Sequence, residues 1–147
     1  MVKEAKFAFG ILKKQLVLKI PATTLGFRAC TVLSNKYTCA MTSIFSPSQA
    51  MVANAAGATF ALYYHNRAKR LLDDGADLPR KLVQVLKHSG TTVIAASLKS
   101  TNEIVEAREA GVKIMTTTFE VLQAMTDHQL SNQALRDFQD HGVGISY

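Results

Sequence analysis

Five short apolar runs, rich in β-branched and aromatic residues and each followed by a stretch of helical periodicity, constrain the fold more than any other feature of this chain. They are LVLKI (16–20), TCAMTSIF (38–45), ATFALYY (58–64), TTVIAAS (91–97) and VKIMTTT (112–118). A strand that is apolar along its length is buried on both faces, and strands joined through helices run parallel under a helical cover. The expected class is therefore α/β. Residues 3–15 read as a helix ahead of the first strand, so the pattern starts in mid-cycle. Five βα units fit an open doubly wound sheet and part of a (β/α)8 barrel equally well, because periodicity alone does not separate them.

The punctuation supports this grammar. Gly57, Gly90 and Gly111 each stand just before a strand, where glycine supplies the left-handed turn that closes a helix at little cost. Ser46-Pro47 reads as an N-cap followed by a first-turn proline, and Ser100 with Glu103 and Thr117 with Glu120 both have capping-box spacing. The polar stretch DDGADLPR (73–80) reads as a loop and helix start, too short for a linker, so residues 1–147 are expected to form one domain.

With 147 residues, 48% hydrophobic and 19% charged, the chain has the composition of a globular protein and not a disordered one. A formal charge of +6 favours anionic partners. The cations are scattered, without a long Lys/Arg run or an aromatic platform, which argues against nucleic acid and suits small phosphorylated substrates. Cys30 and Cys39 lie outside any CxxC pattern, so a reducing cytoplasm is the expectation. Lys13 and Lys14 interrupt the N-terminal apolar stretch, and neither a secretory signal nor a membrane span is expected.

In parallel α/β proteins the site lies at the C-terminal strand ends. There stand Lys19, Thr42, the cluster Tyr63-Tyr64-His65-Asn66-Arg67, Ser97 with Lys99, and threonines 116–118. Lys19 interrupts an apolar run, where an ammonium is costly unless paired or neutral. It is either a strand-end lysine reaching water or a Schiff-base amine whose pKa is lowered by an apolar wall formed by Leu16 to Ile20. Arg67 is a solvated loop arginine or, with Ser97 and Lys99, a phosphate clamp of matching charge and geometry. Tyr64 is core or, if it faces the site, a holder of water or relay of a proton. His65, His88, His128 and His141 share no metal-ligand spacing and read as surface or structural. The GVG triplet (142–144) is half a dinucleotide fingerprint in the wrong context.

The series LVLKIPATTLGFRAC, CAMTSIFSPSQAMVANAAGA, YYHNR and AASLKS, in this order and spacing, resembles the transaldolase family, in particular its fructose-6-phosphate aldolase branch. The resemblance covers the whole chain. It implies a (β/α)8 barrel of Schiff-base enzymes, with Lys19 as the amine on the fourth strand, Thr42 on the fifth, Arg67 as the phosphate arginine, and Ser97 and Lys99 after the seventh. The aldolase branch carries tyrosine at the position of Tyr64, where transaldolases tend to carry phenylalanine. Catalytic Lys19, Thr42 and Tyr64 and phosphate-binding Arg67, Ser97 and Lys99 are thus the implied site. No cofactor or metal is implied, and the expected partners are a sugar phosphate and further copies of the chain, without nucleic acid or membrane.

On this resemblance the fold is a partial (β/α)8 barrel of five βα units, corresponding to strands four to eight, with a C-terminal helical arm at 130–147. Strands one to three would precede Met1, and with them the family's first-strand aspartate and third-strand polar residue. Ala40 replaces the asparagine that transaldolases place two residues before the threonine. Five strands cannot close a barrel, so two parallel edges and a half-covered interior are expected. Two functions follow: a class I aldolase or transaldolase acting on ketose phosphates, or a catalytically silent relative with a binding or assembly role.

Overall fold

The computed structural model describes residues 2–12, 16–140 and 142. Within them the order is α1 (Val2–Leu12), β1 (Val17–Pro21), α2 (Thr24–Leu33), β2 (Thr38–Ile44), α3 (Pro47–Ala55), β3 (Phe60–Tyr64), α4 (His65–Leu71), α5 (Leu78–Val85), β4 (Thr92–Leu98), α6 (Thr101–Glu109), β5 (Ile114–Thr117), α7 (Phe119–Ala124) and α8 (Gln129–Asp140). All five expected strands are present. The helix expected over 3–15 runs to Leu12, and its last three residues lie outside the described set.

The strands pair in parallel in the order β1-β2-β3-β4-β5. A doubly wound sheet reverses its order at a switch point and carries helices on both faces, whereas sequential order with one-sided helices is the winding of a (β/α)8 barrel. Burial confirms the one-sided cover. Ile20, Cys39, Met41, Ile44, Ala61, Tyr63, Val93, Ala95 and Leu98 join Ala29, Cys30, Leu33, Ala50, Ala53, Leu82, Ile104 and Ala107 from the helices in one core. The alternate residues Lys19, Ala40, Thr42, Leu62, Tyr64, Ile94 and Ala96 form the opposite, concave face, since successive strand side chains point to opposite sides. That face is partly open. Val17 is 47% exposed and Ile114 40%, the half-covered interior of an arc of strands.

Two register shifts adjust the strand ends. In β2 the pairing slips between Thr42 and Ile44, and in β4 between Ala95 and Leu98. The extra residues, Ser43 and Ser97, take left-handed φ values of 61° and 59°. Each slip keeps the strand end buried on the helix side, where Ile44 is 0% and Leu98 1% exposed, while Thr42 and Ala96 stay on the concave face.

The turns follow the sequence with two corrections. Gly57 and Gly111 are left-handed, with φ of 79° and 91°. Gly90 is not; the left-handed residue after α5 is His88, with φ of 67°, so the turn closes two residues earlier than glycine placement suggests. Ser46 and Ser100 cap as expected, accepting from Gln49 N and Glu103 N. The Thr117–Glu120 box does not form: α7 begins after Thr118, and the Thr117 hydroxyl donates to Leu98 O across the sheet at 3.1 Å. Of the GVG triplet only Gly142 is described, and the arm expected over 130–147 is seen as α8, which carries no buried residue and ends at Asp140, while 141 and 143–147 lie outside the described residues. No helix among the described residues is long and apolar enough to cross a membrane.

Candidate active site

At the C-terminal end of β1, Thr23 caps α2 by accepting from Gly26 N at 3.1 Å, and Gly26 lies close against Pro21. This contact holds the turn beyond Lys19. Lys19 itself points into the open concave face and is exposed. The apolar wall expected from Leu16 to Ile20 is therefore absent: Leu18 and Ile20 face the helices, because alternation along a strand places the neighbours of a concave-face residue on the other side. What Lys19 faces is an aromatic ring, with its Nζ 6.0 Å from the centroid of Tyr64.

Tyr64 ends β3 and organises the site. Its hydroxyl lies 3.0 Å from Thr42 Oγ1, and the Arg67 guanidinium carbon is 4.9 Å from its ring centroid. Phe45 packs beside it, ring centroids 6.0 Å apart. Hydrogen bonds from the hydroxyls of Thr42 and Ser43, then the charges of Lys19 and Arg67, hold the phenol below its usual range against the opposing effect of burial. Lys19, Thr42, Tyr64 and Arg67 thus converge on one patch drawn from three adjacent strands and the start of α4.

The tyrosine-histidine cluster splits across the sheet. Tyr63 and His65 face the helices, where the Tyr63 hydroxyl lies 3.0 Å from His65 Nδ1, His65 Nε2 lies 3.0 Å from Glu106 Oε2, and Lys69 Nζ pairs with the same oxygen at 2.6 Å. Burial, reinforced by the charges of Glu103 and Glu106, pushes the Tyr63 phenol far up. Glu106 is held low by Lys69 first and His65 second. His65 is structural, as expected; His88 is exposed, and His128 Nδ1 accepts from Leu130 N at 3.2 Å. His141 lies outside the described residues, among which no group of His, Cys, Asp and Glu could hold a metal.

Ser97 is the bulged residue near the end of β4 and Lys99 follows the strand, next to β3, whose Tyr64 pairs in register with Ala96. Ser97 is half-buried and Lys99 exposed. Among the described residues neither side chain makes a hydrogen bond or ion pair, and Arg67 makes none beyond its contact with the Tyr64 ring, which leaves a hydroxyl and two cations with open hydrogen-bonding capacity at one end of the sheet. Sequence reasoning missed Ser43, whose place beside Tyr64 comes from the register shift and has no residue-type signal. It also missed Glu103, visible only as a capping-box residue, which joins Asn66 Nδ2 and the Lys99 amide, both at 2.7 Å.

Residues 1–144 match the family described as transaldolase/fructose-6-phosphate aldolase. The chain belongs to this family. It is 37% identical over 141 residues to a probable transaldolase of Symbiobacterium thermophilum, covering 94% of this chain and 65% of the relative. A probable transaldolase of Caldicellulosiruptor saccharolyticus is 35% identical over 142 residues, with the same coverage of both chains. The chain therefore spans just under two thirds of the length of these relatives. Among solved structures, mandelate oxidase aligns with a TM-score of 0.50 at 18% identity, over 62% of this chain and 28% of that one, which is likeness of fold. As a transaldolase-family chain it has the five-strand parallel sheet and one-sided helices of a partial (β/α)8 barrel.

Proposed function

We propose that this transaldolase-family chain provides the amine and phosphate-binding half of a class I aldolase or transaldolase acting on ketose phosphates, with fructose 6-phosphate as the donor. The observation that carries the proposal is the convergence of Lys19, Thr42 and Arg67 on Tyr64 at the C-terminal strand ends, the face where barrels of this winding place their chemistry.

In this scheme the Lys19 amine attacks the substrate ketone, and loss of water gives an iminium. The donor's C4 hydroxyl gives up its proton, the C3–C4 bond breaks, and its electron pair moves into the iminium to leave a dihydroxyacetone enamine on Lys19 and a free aldehyde phosphate. Arg67, Ser97 and Lys99 hold the phosphate. The Thr42–Tyr64 hydroxyl pair, with a phenol that ionises more readily than usual, holds the water and relays the proton. Hydrolysis of the enamine releases dihydroxyacetone, the aldolase outcome; attack on a second aldose phosphate is the transaldolase outcome. Tyrosine at position 64 favours the aldolase side.

A coupled assay for glyceraldehyde 3-phosphate release tests this directly. Wild type is expected to release it from fructose 6-phosphate and Lys19→Met to release none, while His88→Ala, remote from the site, keeps wild-type turnover. Equal release by the lysine variant overturns the Schiff-base assignment. The exposure of Lys19 on an open concave face supports a second function, a catalytically silent relative with a binding or assembly role. Sugar-phosphate binding without release of aldehyde would select it.

A further inference from the structure

Arg67, in the first turn of α4 after β3, and Lys99, in the loop after β4, belong to different βα units, and a two-cation phosphate clamp works only if those segments keep a fixed separation. A single carboxylate joins them. Glu103, in the first turn of α6, is only 7% exposed. Its Oε1 accepts from Asn66 Nδ2 at 2.7 Å, and its Oε2 accepts from the Lys99 backbone N–H at 2.7 Å. Asn66 immediately precedes Arg67, so the residue beside one clamp cation and the backbone of the other are bound to the same group.

The arrangement departs from ordinary helix capping. A capping-box glutamate returns to the N–H of its own N-cap residue, here Ser100. Glu103 passes over Ser100 to Lys99 and adds a partner from a neighbouring βα unit 37 residues away. Among the described residues no cation pairs with it, so both bonds serve to join the start of α4 to the loop after β4 and are not by-products of an ion pair. Short bonds from N–H groups to a buried carboxylate are strong and directional.

From this geometry we infer that Glu103 is a positioning residue that sets the spacing of Arg67 and Lys99 and so tunes the site for phosphorylated ligands. The inference rests on the phosphate-clamp assignment made above. Charge and position act with opposite signs here. A carboxylate near a phosphate repels it, so a purely electrostatic role means that neutralising Glu103 tightens phosphate binding, whereas a positioning role means that removing its bonds weakens it.

Glu103→Gln and Glu103→Ala separate the two. The carboxamide oxygen of glutamine can accept from Lys99 N–H, and its NH2 can donate to Asn66 once that amide turns over, so the link survives without the charge. Alanine removes both bonds. The experiment is a titration of the full chain with inorganic phosphate, followed through the amide signals of Arg67 and Lys99, with thermal melts on each variant. Glu103→Ala is expected to bind about tenfold more weakly, and Glu103→Gln within about threefold of wild type. Asn66→Ala, which cuts one arm only, should fall between them, and it carries the test if Glu103→Ala does not fold. Wild-type affinity in the alanine variants, tighter binding in them, or no rescue by glutamine overturns the positioning role alone. No phosphate binding by wild type removes the clamp itself and this inference with it.

Discussion

Tyr64 is where the electrostatics of the site are concentrated, and its phenol can be titrated. The unfolded phenol ionises near 10, while the folded one ionises below that value because Thr42 and Ser43 hydrogen bonds and the Lys19 and Arg67 charges favour the phenolate. Between the two pKa values the folded state carries fewer protons than the unfolded one, so folding gains stability as pH rises through this window and loses it as pH falls. Ultraviolet difference titration should show a first phenolate below pH 10 that Tyr64→Phe removes; a wild-type curve unchanged by the substitution contradicts the assigned contacts. In turnover, Tyr64→Phe should move product from free dihydroxyacetone toward transfer, and an unchanged ratio rejects the water-handling role. The buried thiol of Cys39 has the opposite sign. Burial, then the neighbouring Cys30, pushes it from 9.0 up to about 12. Its unfolded form loses a proton first, and stability drains away as pH rises from about 9 to about 12. Denaturation midpoints measured across that range should fall, and Cys39→Ala should flatten the fall while costing roughly 1 kcal/mol at neutral pH through lost packing.

At the level of elements, α2 depends on one close approach. A Cβ on Gly26 would lie 1.9 Å from the Pro21 carbonyl oxygen, a backbone atom that cannot step aside. Gly26→Ala should cost about 1–3 kcal/mol, read as a lowered melting temperature, and weaken any Lys19 chemistry by displacing the turn beyond β1; an unchanged melt contradicts the packing. The same strand shows what the sequence could carry. All five strands were legible because apolar β-rich runs recur between helix caps, and the gathering of Lys19, Thr42 and Arg67 around Tyr64 was legible in outline because each lies in or just after a strand of the parallel sheet. The apolar wall around Lys19 was misjudged because a run of apolar letters does not say which face each one takes; Leu18 and Ile20 turned to the helices. Ser43 was invisible because a register shift, not a residue type, brings it to Tyr64. The left-handed residue after α5 was assigned to Gly90 by residue preference, whereas the helix ends early enough that His88 takes it.

Across the described residues, the core lies between one face of the sheet and its helices, and the concave face is buried at its centre, where Ala40, Leu62 and Ala96 lie, and open toward the edge strands β1 and β5. Edge strands keep unpaired N–H and C=O groups on one side and open with lower free energy than central ones. Hydrogen exchange should therefore be slowest in β3 and its neighbours and fastest in β1 and β5, and uniform protection across the sheet would contradict the open arc. Among the described residues this places Lys19 on an edge strand, paired through β2 alone. Whether an amine so placed still forms a site is the central question, and a borohydride trap answers it most directly. The purified chain is incubated with dihydroxyacetone, reduced, digested and mapped by peptide mass spectrometry. One covalent three-carbon adduct is expected, on Lys19 and absent from Lys19→Met; a folded sample that yields no adduct, or adducts scattered over surface lysines, contradicts the assignment of Lys19 as the reacting amine.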